Sequence, residues 1–102
     1  MPDLRLPRDH EADLVVTDAQ MIAEVSSREQ GADRWTELRV WRSGAGLFVA
    51  EQVGRTIVDG ERDRCRAWVC QDHAEVVHRL RRKWLALKLY RAAGIDASER
   101  IE

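Results

Sequence analysis

The chain has 102 residues, of which 44% are hydrophobic and 34% are charged, and its formal net charge at pH 7 is −1. This length allows one domain with one modest core, and the composition excludes a disordered or membrane protein. The charge is unevenly distributed, because residues 1–54 contain six Lys or Arg and ten Asp or Glu, whereas residues 55–102 contain eleven and eight. The C-terminal half is therefore the positive half.

The location of the protein is predicted from its apolar segments and its cysteines. No apolar run approaches the roughly 18 residues of a membrane-spanning helix, and the N-terminus lacks the apolar core of a secretory signal. Cys65 and Cys70 are expected in one strand with their side chains on opposite faces, where they cannot form a disulfide bond with each other. We therefore expect a cytoplasmic protein with reduced thiols and no membrane contact.

The N-terminal third is predicted to contain a tail and a helix. Residues 1–16 have two prolines and a mixed-charge segment, which are typical of a flexible tail. Thr17 and Gln20 have the spacing of a helix capping box, and Gly31 is suited to end a helix. A helix is therefore predicted over residues 18–30. Its buried stripe is predicted to contain Met21, Ile22 and Val25.

Three antiparallel strands are predicted next, because β-branched and aromatic residues are frequent between residues 35 and 70 and alternate with polar ones. The first strand covers residues 35–42 and is followed by a turn at 43–46. The second covers residues 47–58. The dipeptide Asp-Gly at 59–60 is typical of a two-residue hairpin loop, which leads into a third strand over residues 61–70.

A long basic helix is predicted over residues 73–93, capped by Asp72 and ended by Gly94. The residues predicted to pack on the sheet are Val76, Val77, Leu80, Trp84 and Leu87. The predicted fold is thus α+β and two-layered, in the order α-β-β-β-α, with the N-terminal and the long C-terminal helix packed on a three-stranded antiparallel meander. Residues 17–94 would form the single domain, and residues 95–102 would form a C-terminal tail.

A surface rich in tryptophan and arginine is predicted on one face of the sheet. By alternation, Leu38 and Val40 share a face with Cys65, Ala67 and Val69. The opposite face would carry the candidate binding residues Trp35, Arg39, Trp41, Arg62, Arg64, Arg66 and Trp68, with Phe48 beside them. Such a face offers rings for stacking and guanidinium groups for anions, which suits a protein partner or single-stranded nucleic acid. Alternatively, a bulge reverses the face or a helix covers it, and the tryptophans belong to the core.

The positive side of the C-terminal helix is a second candidate surface, since no acidic residue occurs between Val76 and Ile95. The basic residues proposed for it are Arg79, Arg81, Arg82, Lys83 and Lys88. They could contact phosphates or an acidic partner. The alternative is a solvated helix face whose charges complement the helix dipole.

The sequence contains no motif that is typical of catalysis or of metal binding. His73 and His78 are five residues apart and so do not share a helix face, and Cys65 and Cys70 lack the spacing of a zinc knuckle. Glycine-rich phosphate loops and nucleophile elbows are also missing from the sequence. We therefore expect no enzyme activity, no bound metal and no cofactor.

The sequence predicts a small non-catalytic binding or regulatory protein that acts through protein–protein contacts. Leu85 and Leu89 form a second apolar stripe of the C-terminal helix, which we expect to be buried against a second copy in a homodimer. The alternative is that the N-terminal helix covers this stripe within one chain. The runner-up function is a nucleic-acid-binding module that uses the Trp/Arg face and the basic helix. The near-neutral net charge favours the protein partner.

Overall fold

A computed structural model describes residues 3–99 of the chain. Eight elements follow one another in this range, six strands and then two helices. Their bounds are β1 Leu4–Leu6, β2 Leu14–Val16, β3 Gln20–Ser26, β4 Arg34–Arg42, β5 Phe48–Thr56, β6 Arg64–Cys70, α1 His73–Leu80 and α2 Trp84–Ala93. The class is α+β, but the predicted three-stranded meander with an N-terminal helix is wrong. Neither of the two helices is long and apolar enough to cross a membrane.

The strands form two antiparallel sheets. Strands β3 to β6 make a four-stranded meander in the order β3-β4-β5-β6, and β1 pairs with β2 in a separate two-stranded sheet. Leu38 and Val40 of β4 point to the side where the helices pack, which we call the helix face. Val49 and Ala67 point to the other side, where the β1–β2 hairpin packs, which we call the hairpin face. Each face therefore has its own apolar core.

Residues 20–26, which were predicted to be helical, form β3. A β-bulge between Met21 and Ala23 explains the error, since it leaves Ile22 without a partner in β4. The extra residue shifts the alternation of buried positions by one and so imitates the spacing of a helical stripe. Beyond the bulge the alternation is regular, and Ala23 and Val25 are both buried on the helix face.

The predicted N-terminal tail contains the β1–β2 hairpin. Leu6 and Val16 are buried and pack with Val49 and Ala67 in the second core. The prediction failed because each strand has only three residues, too few to produce a recognisable period. Burial of these apolar side chains stabilises the hairpin, since two strands alone would be marginal in water.

The predicted single C-terminal helix is broken in two. Helix α1 ends at Leu80, and Arg81 follows with a φ of 65° and a ψ of −160°, which cannot continue a helix. Helix α2 begins at Trp84. In a continuous helix the two apolar stripes would point in different directions, whereas the break lets both pack in one core. The predicted ends are confirmed, because Asp72 accepts a hydrogen bond from the N–H of Glu75 at 3.0 Å and Gly94 is left-handed.

The break also reverses two predictions about burial. Leu85 and Leu89, which were assigned to a dimer interface, are only 6% and 0% exposed and lie in the core between the helices and the sheet. Their partners are strands β3 and β4, against which α2 packs. Trp84, which was assigned to the core, is 67% exposed. The self-association surface predicted for the C-terminal helix is therefore wrong.

The connection between β5 and β6 corrects the predicted face of the last strand. A type I′ loop at Asp59 and Gly60 requires positive φ at both residues, but only Gly60 has it, at 83°. The two strands are joined by residues 57–63, and Gly54 lies opposite Arg64. This strand register differs by one residue from the register that a two-residue loop at 59–60 would impose. A shift of one residue exchanges the two faces of a strand.

Candidate binding site

The strand register divides the predicted Trp/Arg surface between the two faces of the sheet. The hairpin face carries Trp35, Arg39 and Trp41. The helix face carries Arg64, Arg66 and Trp68, together with Phe48. Arg62 lies in the connection before β6. The single platform of alternating tryptophans and arginines that was predicted does not exist.

Trp41 is part of the hairpin-face core. Its ring is half-buried beside the second core, and its Nε1 donates to Oε1 of Glu51 at 3.0 Å. Glu51 is only 7% exposed, and Nη1 of Arg39 lies 3.5 Å from the same oxygen. The indole thus supplies one of the contacts that a buried carboxylate requires. Trp41 is accordingly structural.

Trp35 is also engaged within the chain. The guanidinium of Arg28 lies 4.1 Å from the centre of its ring, which is a cation–π contact. Its Nε1 donates to Oε2 of Glu37 at 3.0 Å. With one ring face covered and its N–H group bonded, Trp35 is a poor platform for a stacked base.

Arg39 is held by a network of ion pairs on the hairpin face. It forms ion pairs with Glu24 and with Glu37, and the second of these measures 2.6 Å. Arg55 also donates to Glu37, at 3.1 Å. Burial would raise the pKa of Glu37, but hydrogen bonds from Trp35, Arg55 and Arg39 outweigh it and lower that pKa. Arg39 is therefore not available to a ligand.

An open groove of about 940 Å³ lies at the end of the sheet formed by the β3–β4 and β5–β6 connections. We call it the arginine groove. Its lining residues are Asp9, His10, Ser27, Arg34, Trp35, Thr36, Gly54, Arg55, Thr56, Glu61, Arg62, Arg64 and Arg66. They include five arginines and only two carboxylates, so the lining carries a formal excess of three positive charges.

Two arginines of this groove form ion pairs within residues 3–99, and the other three do not. Arg34 forms a bidentate pair with Glu61 at 2.8 and 2.5 Å, and Arg55 pairs with Asp63 at 2.9 Å. The exposed arginines that form no ion pair within residues 3–99 are Arg62, Arg64 and Arg66. Arg64 and Arg66 are two residues apart in β6, so they stand on one face with a spacing of roughly 7 Å.

The carboxylates beside the groove are held in their ionised form. Hydrogen bonds from Arg34 and then from the Thr56 hydroxyl lower the pKa of Glu61 to about 2. A hydrogen bond from Arg55, followed by one from the main-chain N–H of Thr56, lowers the pKa of Asp63. These pairs fix the walls of the groove. They also shift both acids away from the pKa near neutrality that a general acid or base needs.

Gly54 is a glycine within the central strand β5 at the groove. It lies between Thr36 of β4 and Arg64 of β6, and its φ is not positive. A Cβ atom added here would meet Cβ of Arg64 at 3.7 Å, which is ordinary van der Waals contact. Neither backbone conformation nor packing therefore requires a glycine, although glycine weakens a strand by about 0.5–1 kcal/mol. The missing side chain leaves the main chain of the groove open to a ligand.

The basic residues predicted on the C-terminal helix lie on α1, on α2 and in the break between them. Arg79, Arg81, Arg82, Lys83 and Lys88 are all exposed. Arg82 is engaged, because its Nε donates to the carbonyl of Ala97 at 2.8 Å and its Nη1 lies 3.5 Å from Glu99. The others form no ion pair within the described part of the chain. The exposed Trp84, which was predicted to lie in the core, stands among them.

Neither Cys65 nor Cys70 forms a disulfide bond, and neither has the character of an activated thiol. Cys65 faces the hairpin side and Cys70 faces the helix side, as predicted for one strand. Burial, followed by the charge of Asp9, raises the pKa of the Cys65 thiol, and burial, followed by the charge of Glu75, raises that of Cys70. Between residues 3 and 99, no group of three His, Cys, Asp or Glu residues is placed to hold a metal ion.

Comparison with known proteins adds no functional information. No protein-family model matches the chain, and no match is found among curated proteins or among solved structures.

Proposed function

We propose that the protein is a non-catalytic binding protein and that its arginine groove receives an acidic segment of a partner protein. The observation that carries this proposal is the set of three exposed arginines without an ion pair in residues 3–99, namely Arg62, Arg64 and Arg66. An exposed guanidinium recognises a carboxylate through two parallel hydrogen bonds. The roughly 7 Å between Arg64 and Arg66 equals the spacing of alternate side chains in an extended peptide.

Two features favour carboxylates over a nucleic acid in this groove. Trp35, the only tryptophan of its lining, has one ring face under Arg28 and its N–H group bonded to Glu37. Arg28 therefore competes with a base for one face of the only indole in the lining. The wall also contains Glu61, which stays ionised and would repel a continuous phosphate chain. An acidic peptide can place small residues beside that carboxylate.

The non-catalytic part of the proposal is supported by the state of the ionisable groups. Glu61 and Asp63 have lowered pKa values, and the Cys65 and Cys70 thiols have raised ones. An acid catalyst needs a raised carboxyl pKa, and a thiolate nucleophile needs a lowered thiol pKa. Both observed shifts are in the opposite direction. We also propose a cytoplasmic location, since free thiols persist in a reducing compartment. Self-association through Leu85 and Leu89 is not part of this proposal, because both are core residues.

The proposal is tested with a fluorescein-labelled peptide in which glutamate alternates with glycine, titrated with the protein and followed by fluorescence anisotropy. The Arg64→Ala, Arg66→Ala double variant should weaken binding at least about 10-fold, since each charge-assisted hydrogen bond stabilises by about 1.5–3 kcal/mol. A control that loses two charges elsewhere, Lys88→Ala with Arg91→Ala, should bind within about 2-fold of the wild type. Equal losses in both double variants would show only non-specific attraction and would refute a site in the groove.

Gly54→Val tests the position of the bound segment. The valine side chain occupies the open notch, and a β-branched residue suits a strand, so the free energy of unfolding should stay equal or rise by up to about 1 kcal/mol. Peptide binding should nevertheless be lost. Binding that survives in a stably folded Gly54→Val variant would exclude a ligand on the floor of the groove.

A further inference from the structure

Trp84 is the only large hydrophobic residue that either helix exposes. It is the first residue of α2 and is 67% exposed. Lys88 and Arg91 follow it by four and seven residues, so the three side chains stand on one side of the helix, about one turn apart. Arg81 and Lys83 precede it in the break between the helices. We call these five residues the Trp84 surface.

The charge of the Trp84 surface is not compensated locally. Residues 76–95 contain six Lys or Arg and no Asp or Glu. None of the four basic residues of this surface forms an ion pair within residues 3–99, and all four are exposed. A positive field therefore surrounds an indole whose ring is open to solvent. The near-neutral net charge of the whole chain does not reveal the positive charge of this segment.

The backbone of Arg81 is strained in a way that fixes this surface. Its φ of 65° and ψ of −160° belong to a region that is essentially restricted to glycine. Two hydrogen bonds hold it there. Its N–H donates to the carbonyl of Val77 at 2.7 Å, and its own carbonyl accepts from the hydroxyl of the buried Tyr90 at 2.5 Å. The strained residue orients the segment that carries Lys83 and Trp84, and strain of this kind clusters at functional sites.

We propose that the Trp84 surface binds single-stranded nucleic acid, with one base stacked on Trp84 and the flanking phosphates held by the basic residues. Single strands leave base faces free to stack on an aromatic ring, whereas a duplex hides them. Basic residues precede and follow Trp84 along the chain, so cations are available to the phosphates on either side of a stacked base. A bilayer fits less well, because a stable membrane contact needs a broad apolar face and these helices expose a single large apolar side chain. This surface is separate from the arginine groove.

The test uses a fluorescein-labelled thymidine strand of about 15 nucleotides and the matching duplex, each titrated with the full chain by fluorescence anisotropy. We expect the single strand to bind more tightly than the duplex. Trp84→Ala should weaken single-strand binding about 5- to 150-fold, the range produced by loss of one base stack, and Trp84→Phe should restore part of it. Urea unfolding verifies that each variant is folded. Because Trp84 is exposed, its replacement should leave the fold intact.

Further measurements distinguish binding at the Trp84 surface from binding at the arginine groove and from binding of other ligands. Lys88→Ala with Arg91→Ala should make the slope of log affinity against log salt shallower by about 1.4, whereas Arg64→Ala with Arg66→Ala should leave it unchanged. A slope that responds only to the groove pair would overturn the assignment. So would a folded Trp84→Ala variant that binds like the wild type. Binding to vesicles of anionic phospholipid that Trp84→Ala weakens, without binding to the strand, would replace nucleic acid by a membrane surface.

Discussion

The hydroxyl of Tyr90 donates a 2.5 Å hydrogen bond to the main-chain carbonyl of Arg81, which ties the middle of α2 to the residue that ends α1. Tyr90 is 1% exposed, and its burial raises its pKa to about 12, so the hydroxyl stays protonated at neutral pH. This contact gives a polar group in the core its partner and fixes the break between the helices.

Tyr90→Phe should lower the free energy of unfolding by about 1–2 kcal/mol, since it removes the donor and leaves the Arg81 carbonyl without it. Urea unfolding followed by circular dichroism measures the change. Tyr90→Ala, which also leaves a cavity, should cost about 3–5 kcal/mol. A phenylalanine variant as stable as the wild type would show that the hydroxyl does not hold the break.

Arg81→Gly should leave stability unchanged or raise it by up to about 1 kcal/mol, because glycine adopts this backbone conformation without strain. Arg81→Ala is the matched control, since it removes the same charge but keeps a Cβ atom. The difference between the two midpoints of urea unfolding isolates the backbone strain. Equal midpoints would mean that Arg81 is not strained in solution.

Leu89→Ala should lower the free energy of unfolding by about 2–5 kcal/mol, because the leucine is 0% exposed in the core. Leu85→Glu with Leu89→Glu should abolish folding, since two charges would be buried without partners. Circular dichroism and sedimentation check both outcomes. A double variant that remained folded and lost only self-association would restore the dimer interface predicted from the sequence.

Acid should destabilise the protein through Glu61. The pKa of this residue is about 2 in the folded protein, below its ordinary value of 4.5, so its ion pair stabilises the fold above about pH 4.5. That contribution is lost as the pH falls from about 4.5 towards 2. Glu61→Gln should therefore show a shallower loss of stability in urea unfolding over this range. The control Asp59→Asn, at an exposed residue without an ion pair in residues 3–99, should keep the full slope.

The local signals in the sequence predicted part of the fold correctly. The shared face of Leu38 and Val40, the Asp72 cap and the helix end at Gly94 each depend on a few neighbouring residues, and all three are confirmed. The bulge at Ile22 could not be foreseen, because it is defined by pairing with another strand. The three-residue strands β1 and β2 are too short to show a recognisable alternation of apolar and polar residues.

The candidate site was predicted less well, for two physical reasons. The register of β6 is set by the residues that join it to β5, and an error of one residue placed Arg66 and Trp68 on the wrong face. The break at Arg81 was indicated by two apolar stripes that one straight helix cannot bury together. That conflict was interpreted as evidence for a dimer, whereas the chain resolves it with a strained residue, and Trp84 becomes exposed as a result.

The segment before β2 has a consequence for the solubility of the protein. Strand β6 is the last strand of its sheet, and the N–H of Asp9 and the guanidinium of Arg8 donate to its Cys65 and Ala67 carbonyls at 3.1 and 3.5 Å. An unprotected edge strand offers such groups to other chains and seeds aggregation. A chain that lacks residues 3–13 should therefore form β-rich polymers through β6. Arg8 and Asp9 thus occupy two carbonyl groups of this edge that another copy could otherwise pair with.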